Sequence, residues 1–121
     1  MGKYCVVISG PTITNDDKLV SELQKTALVL TNSDNGRIES IIQNSRIDLI
    51  LFELSKKNNN DMEMIENIKN QFPSIPIIAM NGNGDNEAII KAFSHGAIDA
   101  FKKPYKYYLI CERVNAIFRR L

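Results

Sequence analysis

Five short apolar runs, each followed by a stretch with apolar residues at helical spacing, recur from one end of this 121-residue sequence to the other. The runs are YCVVIS (4–9), ALVLT (27–31), DLILFEL (48–54), IPIIAMN (75–81) and AIDAFKK (97–103). Their near-continuous apolar character predicts strands covered on both faces, which is the signature of a parallel sheet rather than a half-wet antiparallel one. Strict strand–helix alternation then predicts an α/β fold: a (βα)5 flavodoxin-like three-layer sandwich with a central five-stranded parallel sheet, two helices on one face and three on the other. No composition shift or linker divides the chain, so residues 1–121 read as one domain.

The intervening stretches supply the helices. NDDKLVSELQK (15–25) sets Leu19, Val20 and Leu23 on one face, with Asn15 as N-cap and Asp16 and Asp17 in the first turn. DNGRIESIIQNS (34–45) offers Ile38, Ile41 and Ile42 after an Asn-Gly turn signal, and NNNDMEMIENIKNQF (58–72) offers Met62, Ile65, Ile68 and Phe72 before Pro73 stops it. GDNEAIIKAFSHG (84–96) presents Ile89, Ile90 and Phe93 as its core stripe, closed by Gly96. YLICERVNAIFRRL (108–121) presents Ile110, Val114, Ile117 and Leu121, with Arg119 and Arg120 at the helix end. The segment 56–61 is a polar loop.

Composition excludes several functions. Lys and Arg number 15 against 14 Asp and Glu, so no field draws the chain to nucleic acid or to an acidic membrane. No stretch approaches the ~18 apolar residues of a membrane span, and the N-terminus lacks the apolar core of a signal peptide. Cys5 and Cys111 stand 106 positions apart with no metal-ligand or redox spacing. They read as free thiols in a reducing, cytoplasmic compartment.

In doubly wound sheets, function collects outside the carboxyl ends of the strands. That rule gathers Ser9, Gly10, Glu53, Asn81, Gly82 and Lys103. Glu53 is the anomaly, a carboxylate ending an otherwise apolar strand; it can be a solvated or ion-paired surface group, or the core of a site. No His or Cys stands near it to complete an acid, base and nucleophile set. His95, at a helix end, reads as a dipole-stabilised surface imidazole. GNGDNE (82–87) and SGPTIT (9–14) lack the spacing of phosphate loops. An enzyme is therefore not indicated.

The strand–helix order, DLILFEL in the third strand, IPIIAMNG (75–82) in the fourth and GAIDAFKKPY (96–105) in the fifth together resemble the receiver domain of two-component response regulators, over essentially the whole chain. The Gly96-Ala97 and Lys103-Pro104-aromatic pattern is the most specific part. The resemblance implies a phosphoryl acceptor at Glu53, where receivers carry Asp. It puts an acidic metal pair at Ser9 and Gly10, a hydroxyl residue at Asn81, and the phosphoryl-contacting lysine at Lys103, which alone matches. It further implies a cis bond at Lys103-Pro104.

The departures define a degenerate receiver. Mg²⁺ requires oxygen ligands anchored by carboxylates, and a hydroxyl and a glycine leave Glu53 alone, so Mg²⁺ binding is expected to be lost and no other cofactor is implied. Glu also carries its oxygen about one methylene too far for an in-line transfer. Ala100 stands where the family's switch aromatic falls, with Phe101 on the other face. Lys57 replaces the usual proline of the loop after strand three.

Three functions follow. The first is a phosphorylation-independent receiver acting through protein contacts, with a partner or a second copy, across the fourth helix, fifth strand and fifth helix. Its exposed candidates are Lys91, His95, Lys102, Lys106, Tyr107 and Arg113, and an output domain or regulator in a longer protein would be its client. The second is a working phosphoacceptor built on an unorthodox site. The third is a small flavodoxin-like cofactor-binding domain. Under the first, Glu53 is a fixed negative charge expected to face Lys103.

Overall fold

The computed structural model describes residues 3–55, 60–82 and 85–121. Five parallel strands form one sheet: β1 (Cys5–Ser9), β2 (Leu28–Asn32), β3 (Leu49–Leu54), β4 (Ile77–Asn81) and β5 (Asp99–Lys102). Their order is β2-β1-β3-β4-β5, so the chain reverses its winding between β1 and β3. Five α-helices, α1 (Asp17–Gln24), α2 (Ile38–Asn44), α3 (Asn60–Gln71), α4 (Asn86–His95) and α5 (Tyr107–Phe118), connect and flank the strands. The expected three-layer (βα)5 architecture is the one observed. Part of the expected polar loop (56–59), including Lys57, and part of the 82–87 turn (83–84) lie outside the described residues.

Strand alternation builds two cores. Val7, Ile50, Phe52, Leu54, Ile77 and Ala79 meet α2, α3 and α4 through Ile38, Ile42, Ile65, Ile68 and Ala92. Val6, Ile8, Leu49, Leu51, Ile78 and Met80 meet α1 and α5 through Leu19, Leu23, Ile110, Val114 and Phe118. The central strands β1, β3 and β4 are buried on both faces. β2, at one edge, leaves Leu28 and Leu30 exposed.

Helix boundaries follow their caps. Asp16, rather than the expected Asn15, caps α1 by accepting from the Leu19 N–H at 3.1 Å. Asn15 instead closes a single 3-10 turn, Ile13–Asn15. A second 3-10 turn, Asn35–Arg37, leads into α2. Gly96 ends α4 at φ 131°, a conformation that costs glycine little.

Two expected core faces differ. On α4, Ala92 is the buried residue, while Ile90 is 68% and Phe93 46% exposed and Ile89 is half-buried. Ala88 and Ala92, four apart, present the flat surface that packs on the core, so the bulky residues of the helix turn outward. On α5, Phe118 takes the inner position expected of Leu121, stacking on Tyr4 with ring centroids 4.9 Å apart. Leu121 is exposed.

Candidate functional site

The carboxyl ends of β1, β3, β4 and β5 bring Ser9, Gly10, Glu53, Asn81, Gly82 and Lys103 to one edge of the sheet. They do not form one polar cluster, because alternation along each strand sends them to different faces.

Glu53 is 7% exposed and fully engaged. Its Oε1 accepts from the backbone N–H groups of Thr12 and Ile13, both at 2.9 Å. Its Oε2 accepts from the Thr12 hydroxyl. These are the free N–H groups at the start of the Ile13–Asn15 turn, so a carboxylate from β3 caps a turn from the β1 loop. Charge-assisted bonds of this kind are the strong ones.

Gly10 makes this possible. Its φ is 148°, which side chains rarely adopt, and a β-carbon there would stand 2.2 Å from Glu53 Cβ and from Glu53 Oε1. Position 10 and the Glu53 side chain compete for one volume. A residue with a side chain at position 10 excludes Glu53 from its present place.

Ser9 leans the other way. Its hydroxyl donates to Asn35 Oδ1 at 2.6 Å and accepts from Asn32 Nδ2 at 2.9 Å. Asn35 Nδ2 donates to the Glu53 carbonyl at 3.0 Å. Ser9, Asn32 and Asn35 are all buried, so this is an internally satisfied polar network.

On the far side, Asn81 is buried and its Nδ2 donates to the Asp85 carbonyl at 2.8 Å, holding the entry to α4. The Lys103–Pro104 bond is cis. The aliphatic stem of Lys103 runs beside Gly82, 3.8 Å from where a β-carbon would be. Lys103 is exposed and, among the described residues, makes no ion pair. The expected approach of Glu53 to Lys103 is therefore corrected: three donors of the β1 loop satisfy the carboxylate before the lysine can.

Glu53 marks its surroundings electrostatically. Burial, then the Glu53 and Asp16 carboxylates, hold the Tyr105 phenol well above its ordinary pKa. Burial raises the Asp61 carboxyl, its bond from the Ser55 N–H opposes that, and Glu53 raises it further. Among the described residues no group of three or more His, Cys, Asp or Glu is placed to hold a metal ion.

The surface residues singled out from the sequence are mostly committed locally. Arg113 pairs with Asp99 at 2.6 Å, Lys91 lies 3.8 Å from Glu87, and Lys102 donates to Asn86 at 3.0 Å. His95 is half-buried, with Nδ1 2.7 Å from the Lys91 carbonyl, and the Tyr107 hydroxyl donates to Asp16. What sequence reasoning missed is the apolar part of the same face: Ile90, Phe93, Ile98, Tyr108 and Leu109 are all exposed. It also missed Thr12, Asn32 and Asn35. The sequence signal for Thr12 was its place two residues after a glycine at a strand end.

A parallel sheet wound β2-β1-β3-β4-β5, with a carboxylate at the end of β3, defines the flavodoxin-like doubly wound class. The chain belongs to the response regulator receiver domain family, whose sequence profile matches residues 13–115. It is similar to the transcriptional regulatory protein KdpE of Staphylococcus aureus, 30% identical over 113 residues that cover 88% of this chain and 48% of that protein. It is also similar to the luminescence regulatory protein LuxO of Vibrio campbellii, 33% identical over 92 residues covering 75% of this chain and 20% of LuxO. The chain thus spans about half the length of KdpE and a far smaller part of LuxO. Among solved structures, a response regulator from Thermotoga maritima superposes with a TM-score of 0.86 at 19% identity, over 97% of this chain and 98% of that one. An orphan response regulator of H. pylori gives 0.83 at 20% identity, over 96% and 97%. At these identities the structural likeness speaks for the fold.

Proposed function

We propose that this receiver domain works without phosphorylation, as a fixed docking module rather than a phosphate-driven switch. The observation that carries this reading is the Glu53 carboxylate, whose two oxygens take three donors from Thr12 and Ile13. An acceptor must present a free oxygen in line with a phosphodonor, and neither oxygen is free.

The residues at the metal-pair positions do not fit a divalent cation. Gly10 offers no ligand, and a side chain there would overlap Glu53. The Ser9 hydroxyl is committed to Asn35 and Asn32. Mg²⁺ would have to displace this network to gain a single carboxylate. No catalytic step is assigned to these residues.

Output runs through protein contacts on α4, β5 and α5, where Ile90, Phe93, Tyr108 and Leu109, with Ile98 just before β5, are exposed large apolar side chains. Such a surface fits a protein partner or a second copy of the chain. Because the named relatives are regulatory proteins of which the match covers only 48% and 20%, an output domain or its regulator in a longer protein is the natural client. With 15 basic against 14 acidic residues, these residues do not themselves bind nucleic acid. No described helix is long and apolar enough to cross a membrane, and a cytoplasmic setting suits two free cysteines.

The test is intact-mass analysis after incubation with acetyl phosphate and millimolar Mg²⁺. An unchanged mass is expected. A phosphoryl adduct mapped to Glu53 or Ser9 would make this a working acceptor of unorthodox construction.

A further inference from the structure

A pocket of about 430 Å³ opens among the loops that follow β1, β2 and β3. Glu53, Asn81 and Lys103 do not line it. Its wall includes Ser33, Asp34, Asn35, Ser55, Asp61 and Met64, and among the described residues no Lys, Arg or His lines it. Two acids thus stand over a cavity within the usual ~300–1,000 Å³ range of small-molecule sites.

Asp61 is the informative member. It is 2% exposed on the first turn of α3, and its Oδ2 accepts from the Ser55 N–H. Among the described residues its Oδ1 has no hydrogen-bond partner. A buried carboxylate oxygen without a donor is costly, and a donor carrying positive charge offsets that cost most effectively. Two other polar residues of the wall are engaged within the fold: Asn35 by Ser9 and the Glu53 carbonyl, and Asp34 Oδ1 by the Gly36 N–H.

We propose that this pocket binds a small organic cation, a guanidinium or alkylammonium group, whose N–H donors complete Asp61. A metal ion is the poorer occupant, because hard cations need about six oxygen ligands and only two carboxylates line the pocket. The positive charge of an incoming cation opposes the burial and the neighbouring Glu53 charge that raise the Asp61 pKa. Binding here does not depend on whether Glu53 accepts a phosphoryl group. It would give a receiver with a closed acceptor position a second route for input, since Asn35 joins the pocket wall to the Glu53 backbone. The same chemistry can come from a free metabolite or from an Arg or Lys of a protein partner.

The experiment is an amide NMR titration of the full chain with agmatine, with a capped Gly-Arg-Gly peptide, with MgCl2, and with NaCl at matched ionic strength. Saturable shifts at Ser33, Gly36, Ser55 and Met64 with agmatine or the peptide, absent with NaCl and MgCl2, are expected. Agmatine alone would assign a free metabolite, and a tighter peptide would assign a partner side chain. Asp61→Asn, which keeps the shape and an acceptor for Ser55, should weaken binding about tenfold or more. Should that variant fail to fold, Ser33→Trp, at an exposed wall position, should abolish the shifts by filling the mouth. Linear shifts equal to those with NaCl, saturation by Mg²⁺ alone, or binding untouched by these substitutions would overturn the proposal; the first of these would leave Asp61 satisfied by water only.

Discussion

At the carboxyl edge of β1 and β3, the groups around Glu53 hold one another; on α4, β5 and α5, large apolar side chains stand in the open. The first region takes a carboxylate, a hydroxyl and two carboxamides into a buried network whose bonds are all internal. The second leaves Ile90 more exposed than Ala92, two residues away on the same helix. Polar groups are buried where a receiver would meet its phosphodonor, and apolar groups are exposed where it would meet a protein. The contrast teaches that a buried carboxylate at a strand end can serve the fold itself: Glu53 is a structural tie between β3 and the β1 loop.

The contrast can be broken most forcefully at the closed end. Glu53→Ala leaves the buried Ile13 N–H and the Thr12 N–H without their acceptor, so a loss of about 3 kcal/mol is expected, with a fall in melting temperature of roughly 10 °C. Glu53→Gln, which keeps one oxygen, should lose about a third of that. Denaturant titration of the two variants would show it.

Gly10→Asp is the next largest. The strain at φ 148° and the overlap with Glu53 predict a loss of about 2–3 kcal/mol. When it is combined with Glu53→Gly, which removes both the β-carbon and the carboxylate that overlap it, the loss should fall at least about 1 kcal/mol short of the sum of the two single losses, a coupling that a double-mutant cycle measures directly. Strict additivity would mean that the two positions do not share a volume.

How much of this could be read from the sequence depends on where physics is local. The apolar runs of β1, β3 and β4 announce buried strands unaided, and the switch-point rule brings Glu53 and Lys103 to one edge. The partner of Glu53 was not legible, because charge complementarity pointed to Lys103 while the actual donors are two backbone N–H groups and the Thr12 hydroxyl, presented by a loop whose path depends on the φ of Gly10. The orientation of α4 was not legible either. Periodicity reports that a stripe exists; which stripe faces inward depends on how closely the helix approaches the core, and the alanines at 88 and 92 decide that.

A smaller effect separates the regions by pH. Tyr105 is held neutral by burial and by the Glu53 and Asp16 charges. Its folded pKa lies above the unfolded value of about 10, so its contribution to stability is complete below pH 10 and is lost as pH rises beyond that. Melting curves between pH 8 and 11 should fall, and Tyr105→Phe should fall less steeply. The smallest effect belongs to the open face: Ile90→Ser and Phe93→Ser should change stability by no more than about 0.5 kcal/mol, while weakening association with whatever protein, or second copy, docks there.

The central claim is that Glu53 is held by the β1 loop and does not respond to phosphoryl chemistry. The amide resonances of Thr12 and Ile13 report that contact directly. In the presence of Mg²⁺ and a beryllofluoride phosphoryl mimic, both should keep their chemical shifts and their slow hydrogen exchange. Shifts that move saturably with the mimic, or exchange that accelerates as Glu53 lets go of the loop, would contradict the account.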